Sequence, residues 1–261
     1  MKYQTVAVYG LSFAALLWTV HQDDEPRQSV ETLAKIHWNW GPALNSPGAA
    51  LRLKETSRQR GDNFTVVRYR MYAEGLPQAK TYSLLEVVLP EANKPQTLLR
   101  GISFDETGLA MCAGRTNTCG TPDKPNDPID LAIPAAKGEV KHLSLVSEDG
   151  ASKAFFSITP FPIQVVDQTC TLELQRVLPN AEIVVAQGAG FAPNVEITLN
   201  SSSEGEKHSG AGKTDAHGVY QAVLLPYMKG KASGKLRVTL HSTSCNPSAS
   251  IDWGKDSYRY Q

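Results

Sequence analysis

The sequence Phe64-Thr-Val-Val-Arg-Tyr-Arg-Met-Tyr72 gives the clearest indication of the fold class, because apolar and polar side chains alternate in it. Val67, Tyr69 and Met71 alternate with two arginines, the pattern of a β-strand with one buried and one solvated face. Similar short apolar or alternating runs flank it at residues 51–54, 82–89, 96–104, 142–146 and 153–158. Turn signals separate these runs, notably residues 105–108 and Asp149-Gly150. The first half of the chain therefore predicts a β-sandwich.

The second half repeats this logic with short runs at residues 171–177, 182–186, 195–199, 219–225 and 235–241. We expect a mobile hairpin tip in the Ser/Gly-rich stretch 201–212. No long segment after the N-terminal region has a sustained helical period, which argues against Rossmann and barrel enzymes. The prediction is an all-β fold with two consecutive Ig-like β-sandwich domains after an N-terminal export or anchor segment.

Four segments follow from this pattern. Residues 1–25 form a signal peptide or membrane anchor, and residues 26–47 form a connector with a short helix. Residues 48–165 form the first sandwich, and residues 166–261 form the second. The boundary between them is placed near residues 160–169, because the prolines of Pro160-Phe-Pro162 cannot donate to a β-ladder.

The first 25 residues have the features of an export segment. Lys2 precedes an apolar run over residues 6–20, and Asp23, Asp24 and Glu25 follow it. A cationic start with acids after the apolar run places the rest of the chain outside the cytoplasm. Both a cleaved signal and a retained anchor fit this segment. The predicted location is periplasmic, cell-surface or secreted.

If the chain is exported, we expect its four cysteines to form disulfide bonds, since thiols outside the cytoplasm tend to be oxidised. We predict a local bond between Cys112 and Cys119 and a long-range bond between Cys170 and Cys245. A structural zinc site is the alternative, but it usually shows close C-x-x-C pairs, which this sequence lacks.

The charge composition weakens one class of partner. With 26 Lys+Arg against 26 Asp+Glu, the formal net charge is zero, whereas nucleic-acid binders usually carry a basic excess or a basic face. The richest basic cluster is Arg52, Lys54, Arg58 and Arg60, and it includes Glu55. We therefore predict no nucleic-acid partner, and membrane contact only through an uncleaved N-terminal segment.

The connector carries its own signals. Ser29 can cap a short helix that ends before Gly41-Pro42. His37, Trp38 and Trp40 lie at its end, and we expect them to dock on the following domain or to sit at a membrane surface.

Motifs for catalysis are weak. A G-x-S-x-G nucleophile elbow is missing, and residues 101–105 (GISFD) look like a strand entering a turn. Gly188-Ala-Gly190 leads into Phe and Pro, so it predicts a turn and not a phosphate loop. We predict no catalytic residue and no cofactor, and the sequence leans against an enzyme without deciding the question.

Two groups of side chains are candidates for metal binding. The first could bind a transition metal: Glu204, Glu206 and His208 alternate, and Asp215 and His217 would add ligands if the fold brought them near. The second is a run of oxygen ligands for calcium, namely Asp123, Asn126, Asp127 and Asp130. The first set is also typical of a solvent-exposed hairpin, and the second is typical of turns in which Asp and Asn precede prolines. No metal site is predicted.

The last third of the chain contains a glycine-rich bend and a tight turn. The bend, residues 188–194, should drop Phe191 into the core, and Asp215 to Gly218 should turn a hairpin. Together with residues 195–199 and 214–220, Cys245-Asn-Pro-Ser and Ile251-Asp-Trp-Gly254, this layout resembles uncharacterised secreted bacterial proteins with a C-terminal Ig-like β-sandwich module. That resemblance implies a fold and no activity.

The function expected from these observations is structural or partner-binding, in a non-catalytic exported protein whose unknown partner is a protein or glycan at the cell envelope. The alternative is a carbohydrate-binding or hydrolytic envelope protein with a site built from inter-strand loops. Its sugar-stacking rings would be Tyr72, Tyr82, Trp253, Tyr258 and Tyr260. An exposed, coplanar row of rings would favour the alternative, and buried rings would favour the structural role.

Overall fold

The computed structural model describes residues 29–61, 64–90, 94–112, 127–255 and 257. These residues form an all-β fold with several antiparallel sheets, which confirms the predicted fold class at that level. Contacts divide them into two units. The N-terminal unit comprises Lys35–Ala135 and Val140–Pro160, and the C-terminal unit comprises Ala136–Glu139, residues 161–257 and the short stretch 29–34. The predicted export segment lies outside the described residues.

The connector forms the predicted helix, α1 (Val30–Asn39), followed by a 3-10 turn at Pro42–Leu44. The Ser29 hydroxyl accepts a hydrogen bond from the Thr32 backbone N–H at 3.2 Å, so Ser29 caps the helix as expected. Among the described residues, no helix is long and apolar enough to cross a membrane.

The N-terminal unit contains eight strands among the described residues. They are β1 (Ala50–Arg60), β2 (Phe64–Glu74), β3 (Tyr82–Val87), β4 (Gln96–Phe104), β5 (Ala110–Cys112), β6 (Asp130–Ala136), β7 (Lys141–Ser147) and β8 (Lys153–Ile158). They form a sheet of order β1-β2-β6 and a sheet of order β5-β4-β3-β7-β8. β2 alternates as its sequence predicts: Val67, Tyr69 and Met71 are buried in one hydrophobic cluster with Tyr82 and Ile102.

The C-terminal unit also contains eight strands among its described residues. They are β9 (Ile163–Asp167), β10 (Cys170–Arg176), β11 (Val184–Ala189), β12 (Glu196–Ser203), β13 (Glu206–Lys213), β14 (Tyr220–Leu224), β15 (Ser233–His241) and β16 (Ser248–Gly254). Two four-stranded sheets, ordered β14-β11-β10-β9 and β13-β12-β15-β16, enclose a second core. Phe191 lies in this core as predicted, and β9 occupies much of the stretch expected to separate two domains.

The long-range disulfide is confirmed. Cys170 at the start of β10 and Cys245 before β16 are bonded, 75 residues apart, and both are buried in the core. Closing a loop of this length removes about 4.5 kcal/mol of chain entropy from the unfolded state in the usual model. Cys119 lies outside the described residues, so its bond to Cys112 stays a prediction, although no described cysteine is free.

A buried arginine holds residues 136–139 within the C-terminal unit. Arg176 is only 4% exposed, and its Nε donates to the Lys137 carbonyl at 2.7 Å. Its backbone N–H donates to the Gly138 carbonyl, also at 2.7 Å. A buried guanidinium requires such acceptors, because an unpaired one would lose its hydration without compensation. The chain from β6 to β7 thus contributes four residues to the fold of the second unit.

The Ser/Gly-rich stretch 201–212 differs from the expectation. Most of it belongs to β12 and β13, which pair from Glu196 opposite Lys213 to Ser203 opposite Glu206. Only Glu204 and Gly205 form the hairpin loop, and both have positive φ, 47° and 97°. Ser and Gly have low strand propensity, but pairing to neighbouring strands on the fold overrides it here.

Two aspartate turns form as the sequence predicts, one in each unit. A carboxylate oxygen of Asp105 accepts the N–H groups of Thr107 and Leu109, while Gly108 takes a φ of 77°. Asp215 does the same with the N–H groups two and four residues ahead of it. The hydrogen bonds from the Val219 and His217 backbones lower the pKa of Asp215.

Removing a hydroxyl from the C-terminal core should stabilise the protein. Tyr220 is buried, its hydroxyl has no hydrogen-bond partner among the described residues, and burial raises its pKa to about 12. We expect Tyr220→Phe to increase the free energy of unfolding by about 1 kcal/mol, because an unsatisfied polar group no longer has to be desolvated. Urea unfolding measures the change.

Tyr82→Phe is the matched control, since the Tyr82 hydroxyl donates to the Pro77 carbonyl at 2.9 Å. This variant should lose about 1 kcal/mol. An equal loss in both variants would contradict the assignment of an unpartnered hydroxyl to Tyr220.

Candidate functional site

The outward face of β2 carries a cluster of cations, because the apolar residues between them occupy the buried face. Because β2 buries its odd-numbered residues, Arg68, Arg70 and Tyr72 point to the opposite side of the sheet. In the pairing with β1, Arg52 lies opposite Tyr72 and Lys54 lies opposite Arg70. We call Arg52, Lys54, Arg68 and Arg70 the basic strip.

Strand alternation and a β-bulge in β1 place Glu55 and Arg58 on the face opposite the basic strip. Glu55 follows Lys54 and lies opposite Tyr69, on the other face of the sheet. The register then shifts between Glu55 and Ser57, so that Arg58 lies opposite Val67, on the same face as Glu55. There Arg58 makes two hydrogen bonds to the Glu55 carboxylate, at 2.9 and 2.6 Å. These hydrogen bonds are the main cause of the lowered pKa of Glu55. Glu55 therefore does not neutralise the strip.

The sequence cluster and the structural cluster thus differ in membership. Arg58, which the sequence grouped with Arg52 and Lys54, is engaged by Glu55 and also donates to the Pro160 carbonyl. Arg60 lies opposite the buried Thr65 and so faces away from the strip. Two arginines of β2 take their places. Only strand pairing, which sequence distance does not display, brings the four cations of the strip together.

The strip is electrostatically unfavourable for the folded protein on its own. Lys54 and Arg70 are directly opposite, where Cβ atoms lie about 5 Å apart and like charges destabilise a sheet. Asp130 on the neighbouring strand β6 is 3.7 Å from Arg70, and both side chains are about half exposed. Within the described residues, no ion pair reaches Arg52, Lys54 or Arg68. A surface that keeps repulsive charges together suits an anionic ligand.

The aromatic candidates are not brought together. Tyr82 and Trp253 are buried in separate cores, which favours the structural role over sugar stacking for these two rings. Tyr72 is half-buried at the end of the strip, and the Arg52 guanidinium lies 5.1 Å from its ring centre in a cation–π contact. Tyr258 and Tyr260 lie outside the described residues. The rings that the structure describes therefore form no stacking row.

A second polar cluster joins α1 to the strands of the N-terminal unit. The Nδ1 atom of His37 lies 3.2 Å from Nε2 of His142, and Nδ1 of His142 lies 2.9 Å from the Ser157 hydroxyl. The Ser157 hydroxyl donates to the Trp40 carbonyl at 3.0 Å, so it accepts from His142. His142 is then protonated on Nδ1 and accepts from His37 on Nε2. We call this chain the histidine relay.

The histidine relay confirms that the end of α1 docks on the following domain. His37 and His142 are both buried, and the Trp40 indole N–H donates to the Leu143 carbonyl at 2.9 Å. Burial is the larger cause, and the proximity of His37 the smaller, of a His142 pKa lowered to about 3. The ring is therefore neutral at pH 7, as the relay requires.

The candidate metal ligands serve other contacts. Glu204 accepts the Lys235 backbone N–H at 3.0 Å, and His208 lies 3.8 Å from Glu206 on β13. Among the described residues, no group of three potential ligands meets. Of the calcium candidates, Asp123 and Asn126 lie outside the described residues, while Asp130 belongs to the edge of the strip.

The C-terminal unit contains an open groove among its described residues. This groove of about 580 Å³ follows the edge strands β9 and β16 and is lined by Lys137, Gln164, Arg237, Ser248 and Ser250. Its two cations are exposed and lie on different elements, without the direct cross-strand pairing of the strip. The basic strip is therefore the stronger candidate for a binding surface.

Comparison with known proteins adds no template for this surface. No protein-family model matches the chain, and no curated protein matches it.

Acidification should weaken the fold through the histidine relay. The unfolded pKa of a histidine is about 6.5, and that of His142 in the fold is about 3, so the unfolded chain binds more protons below pH 6.5. The free energy of unfolding should fall by about 2 kcal/mol between pH 7 and pH 5 from this residue. Urea unfolding at both pH values measures it.

His142→Gln is the control variant, and its stability should vary less over this pH range by the same amount. The turn carboxylates, such as Asp105 and Asp215, have lowered pKa values and lose their contribution mainly below pH 4, outside this window. An unchanged pH dependence in the variant would contradict the buried neutral state of His142.

Removing one charge from the strip should stabilise the fold. Lys54→Gln relieves the repulsion with Arg70, and we expect the free energy of unfolding to rise by about 0.2–0.5 kcal/mol at low salt. In about 1 M NaCl, where screening acts over about 3 Å, this gain should vanish. Lys207→Gln, at a position opposite Ser202, is the control and should show no such salt-dependent gain. A loss of stability in Lys54→Gln would refute the repulsion.

Proposed function

We propose that this protein is a non-catalytic, exported binding protein of the cell envelope, and that it binds an anionic partner through the basic strip. The observation that carries the proposal is the placement of Lys54 directly opposite Arg70, with Arg52 and Arg68 beside them and no ion pair to three of the four among the described residues. Such a cluster costs stability in the free protein. A partner with negative charges would remove that cost.

Export of the protein is supported by the chemistry of the cysteines and by the N-terminal sequence. The Cys170–Cys245 disulfide suits an oxidising compartment, and Lys2, the apolar run and the acids after it suit an export segment. The proposed location is periplasmic, cell-surface or secreted.

The Ig-like assignment of the C-terminal unit belongs to the same proposal. Two four-stranded antiparallel sheets enclose one core, and a disulfide joins β10 to the residues just before β16. Ig-like modules commonly present binding surfaces on a rigid sandwich, which agrees with a binding role. The fold supplies no activity of its own to this argument.

The basic strip should account for most of the binding of the protein to a polyanion. We expect wild-type protein to bind fluorescent dextran sulfate in 50 mM NaCl. Replacing the four cations of the strip by glutamine should weaken binding by about 30-fold or more, if each exposed charge contributes about 0.5 kcal/mol or more. Fluorescence anisotropy measures the affinity.

The control variant replaces Lys207, Lys213, Lys229 and Lys231 by glutamine, which changes the net charge equally at exposed positions. It should lose threefold or less, a margin of about 0.6 kcal/mol. Equal losses in the two variants would show that net charge binds the polymer, and would contradict a role for the strip.

A further inference from the structure

We infer that the anionic partner is a linear acidic polysaccharide, whose carboxylates are bound by the arginines of the basic strip. This inference rests on the proposed function and names the ligand class for the same surface. It follows from three properties of the strip, which are its outline, its composition and the state of its aromatic ring.

The outline of the strip is narrow. Its cations occupy the outward faces of β1 and β2, whose axes lie about 5 Å apart. At one side, the next strand β6 presents Asp130, Ala132 and Pro134 on that face, and none of them is a cation. At one end, the residue that follows Tyr72 on the same face of β2 is Glu74. Negative charge therefore bounds the positive strip at one side and at one end. This outline fits a single extended chain.

A planar anionic surface fits less well. A lipid bilayer approaching this face would bring its headgroups against Asp130 and Glu74 together with the cations, and both acids are exposed. Each carboxylate would offset part of the attraction of about 1 kcal/mol that a cation gains near an anionic membrane. A single chain over β1 and β2 leaves β6 uncovered and so contacts fewer acidic groups than a plane does; Asp130 competes with it only at Arg70, 3.7 Å away.

The spacing of the cations suits repeated anionic groups. Arg68 and Arg70 are two residues apart on β2, and Arg52 and Lys54 are two residues apart on β1, so neighbouring charges along each strand are about 7 Å apart. From Arg68 to Tyr72 the strip is about 14 Å long. A short segment of a polymer with one carboxylate per unit could contact both rows.

The composition of the strip favours carboxylates with neighbouring hydroxyls. Three of the four cations are arginines, whose planar guanidinium binds a carboxylate through two parallel hydrogen bonds. Ser57, opposite Arg68, and Gln59, opposite Val66, lie on the same face and are exposed. Their side chains offer hydrogen-bond donors and acceptors of the kind that sugar hydroxyls use. A uronic acid presents both groups.

The aromatic ring argues against single-stranded nucleic acid. Surfaces that bind such strands combine cations with rings on which bases stack. Tyr72 is the half-exposed ring of this strip, and the Arg52 guanidinium already lies over its face. The bound guanidinium stays available to an anion through its outer N–H groups. The strip thus presents charge and hydrogen bonds without an open ring for stacking.

Binding to defined polymers tests the inference with the full exported chain. Polygalacturonate is the probe, its fully methyl-esterified form is the uncharged control with the same backbone, and phosphatidylglycerol vesicles and an oligo-dT strand represent other anions. We expect polygalacturonate to bind at least tenfold more tightly than its ester. Arg68→Lys with Arg70→Lys should reduce that affinity about tenfold while changing vesicle binding less than twofold, because charge is kept and the guanidinium fork is lost.

The matched control is Arg60→Lys with Arg237→Lys, two exposed arginines outside the strip, which should leave polygalacturonate binding within twofold. Circular dichroism and melting temperature verify that both double variants fold. A strip that binds dextran sulfate, but does not prefer polygalacturonate over its ester, would overturn the inference and leave the proposed function standing. Tighter binding of oligo-dT or of vesicles would also overturn it. If the wild-type protein bound none of these polyanions, both the inference and the proposed function would be overturned.

Discussion

The alternation of side chains along β2 is the constraint on which the N-terminal unit depends. Val67, Tyr69 and Met71 must be buried together for the unit to have a core, and this places Arg68 and Arg70 on the opposite face. A slip of one residue would bury two arginines, so the register is strongly specified. The core and the candidate binding surface are therefore two faces of one strand. Burial of the apolar face fixes the register, and the register fixes where the arginines lie.

The bulge in β1 completes the surface. Without the extra residue between Glu55 and Ser57, the residues after Glu55 would lie on the opposite faces, and Arg58 would point outward with Arg52 and Lys54. The bulge instead turns Arg58 to the face that Glu55 already occupies, where the two side chains bind each other. It separates a self-neutralised ion pair from a strip that stays positive, which is the division a binding surface needs.

Buried polar contacts tie the ends of the chain segments to the sheets. The histidine relay fixes α1 to β7 and β8, and Arg176 fixes residues 136–139 to β10. In both cases a polar side chain satisfies groups that regular β-pairing leaves open. Protonation of His142 would turn its Nε2 atom into a donor, so His37 would have to change tautomer to keep the contact. The relay contacts around His142 lie in the same unit as the strip, whereas the Arg176 contacts lie within the C-terminal unit.

Local pattern in the sequence predicts the features that depend on residues close together in the chain. The period of two identified β2 and most other strands, Ser29 marked the start of α1, and Asp105 and Asp215 marked tight turns, since each signal acts within a few residues. It does not predict β5, β6, β9 or β16. It predicts a hairpin tip over residues 201–212, where pairing to neighbouring strands overrides the weak strand propensity of Ser and Gly. Cysteine spacing was enough to predict the Cys170–Cys245 bond.

The candidate binding surface could not be predicted from local pattern. Glu55 stands next to Lys54 in the sequence but on the other face of the sheet, while Arg70 is sixteen residues away and directly opposite. Which charges meet is decided by strand register and by one bulge, and both are properties of the tertiary structure.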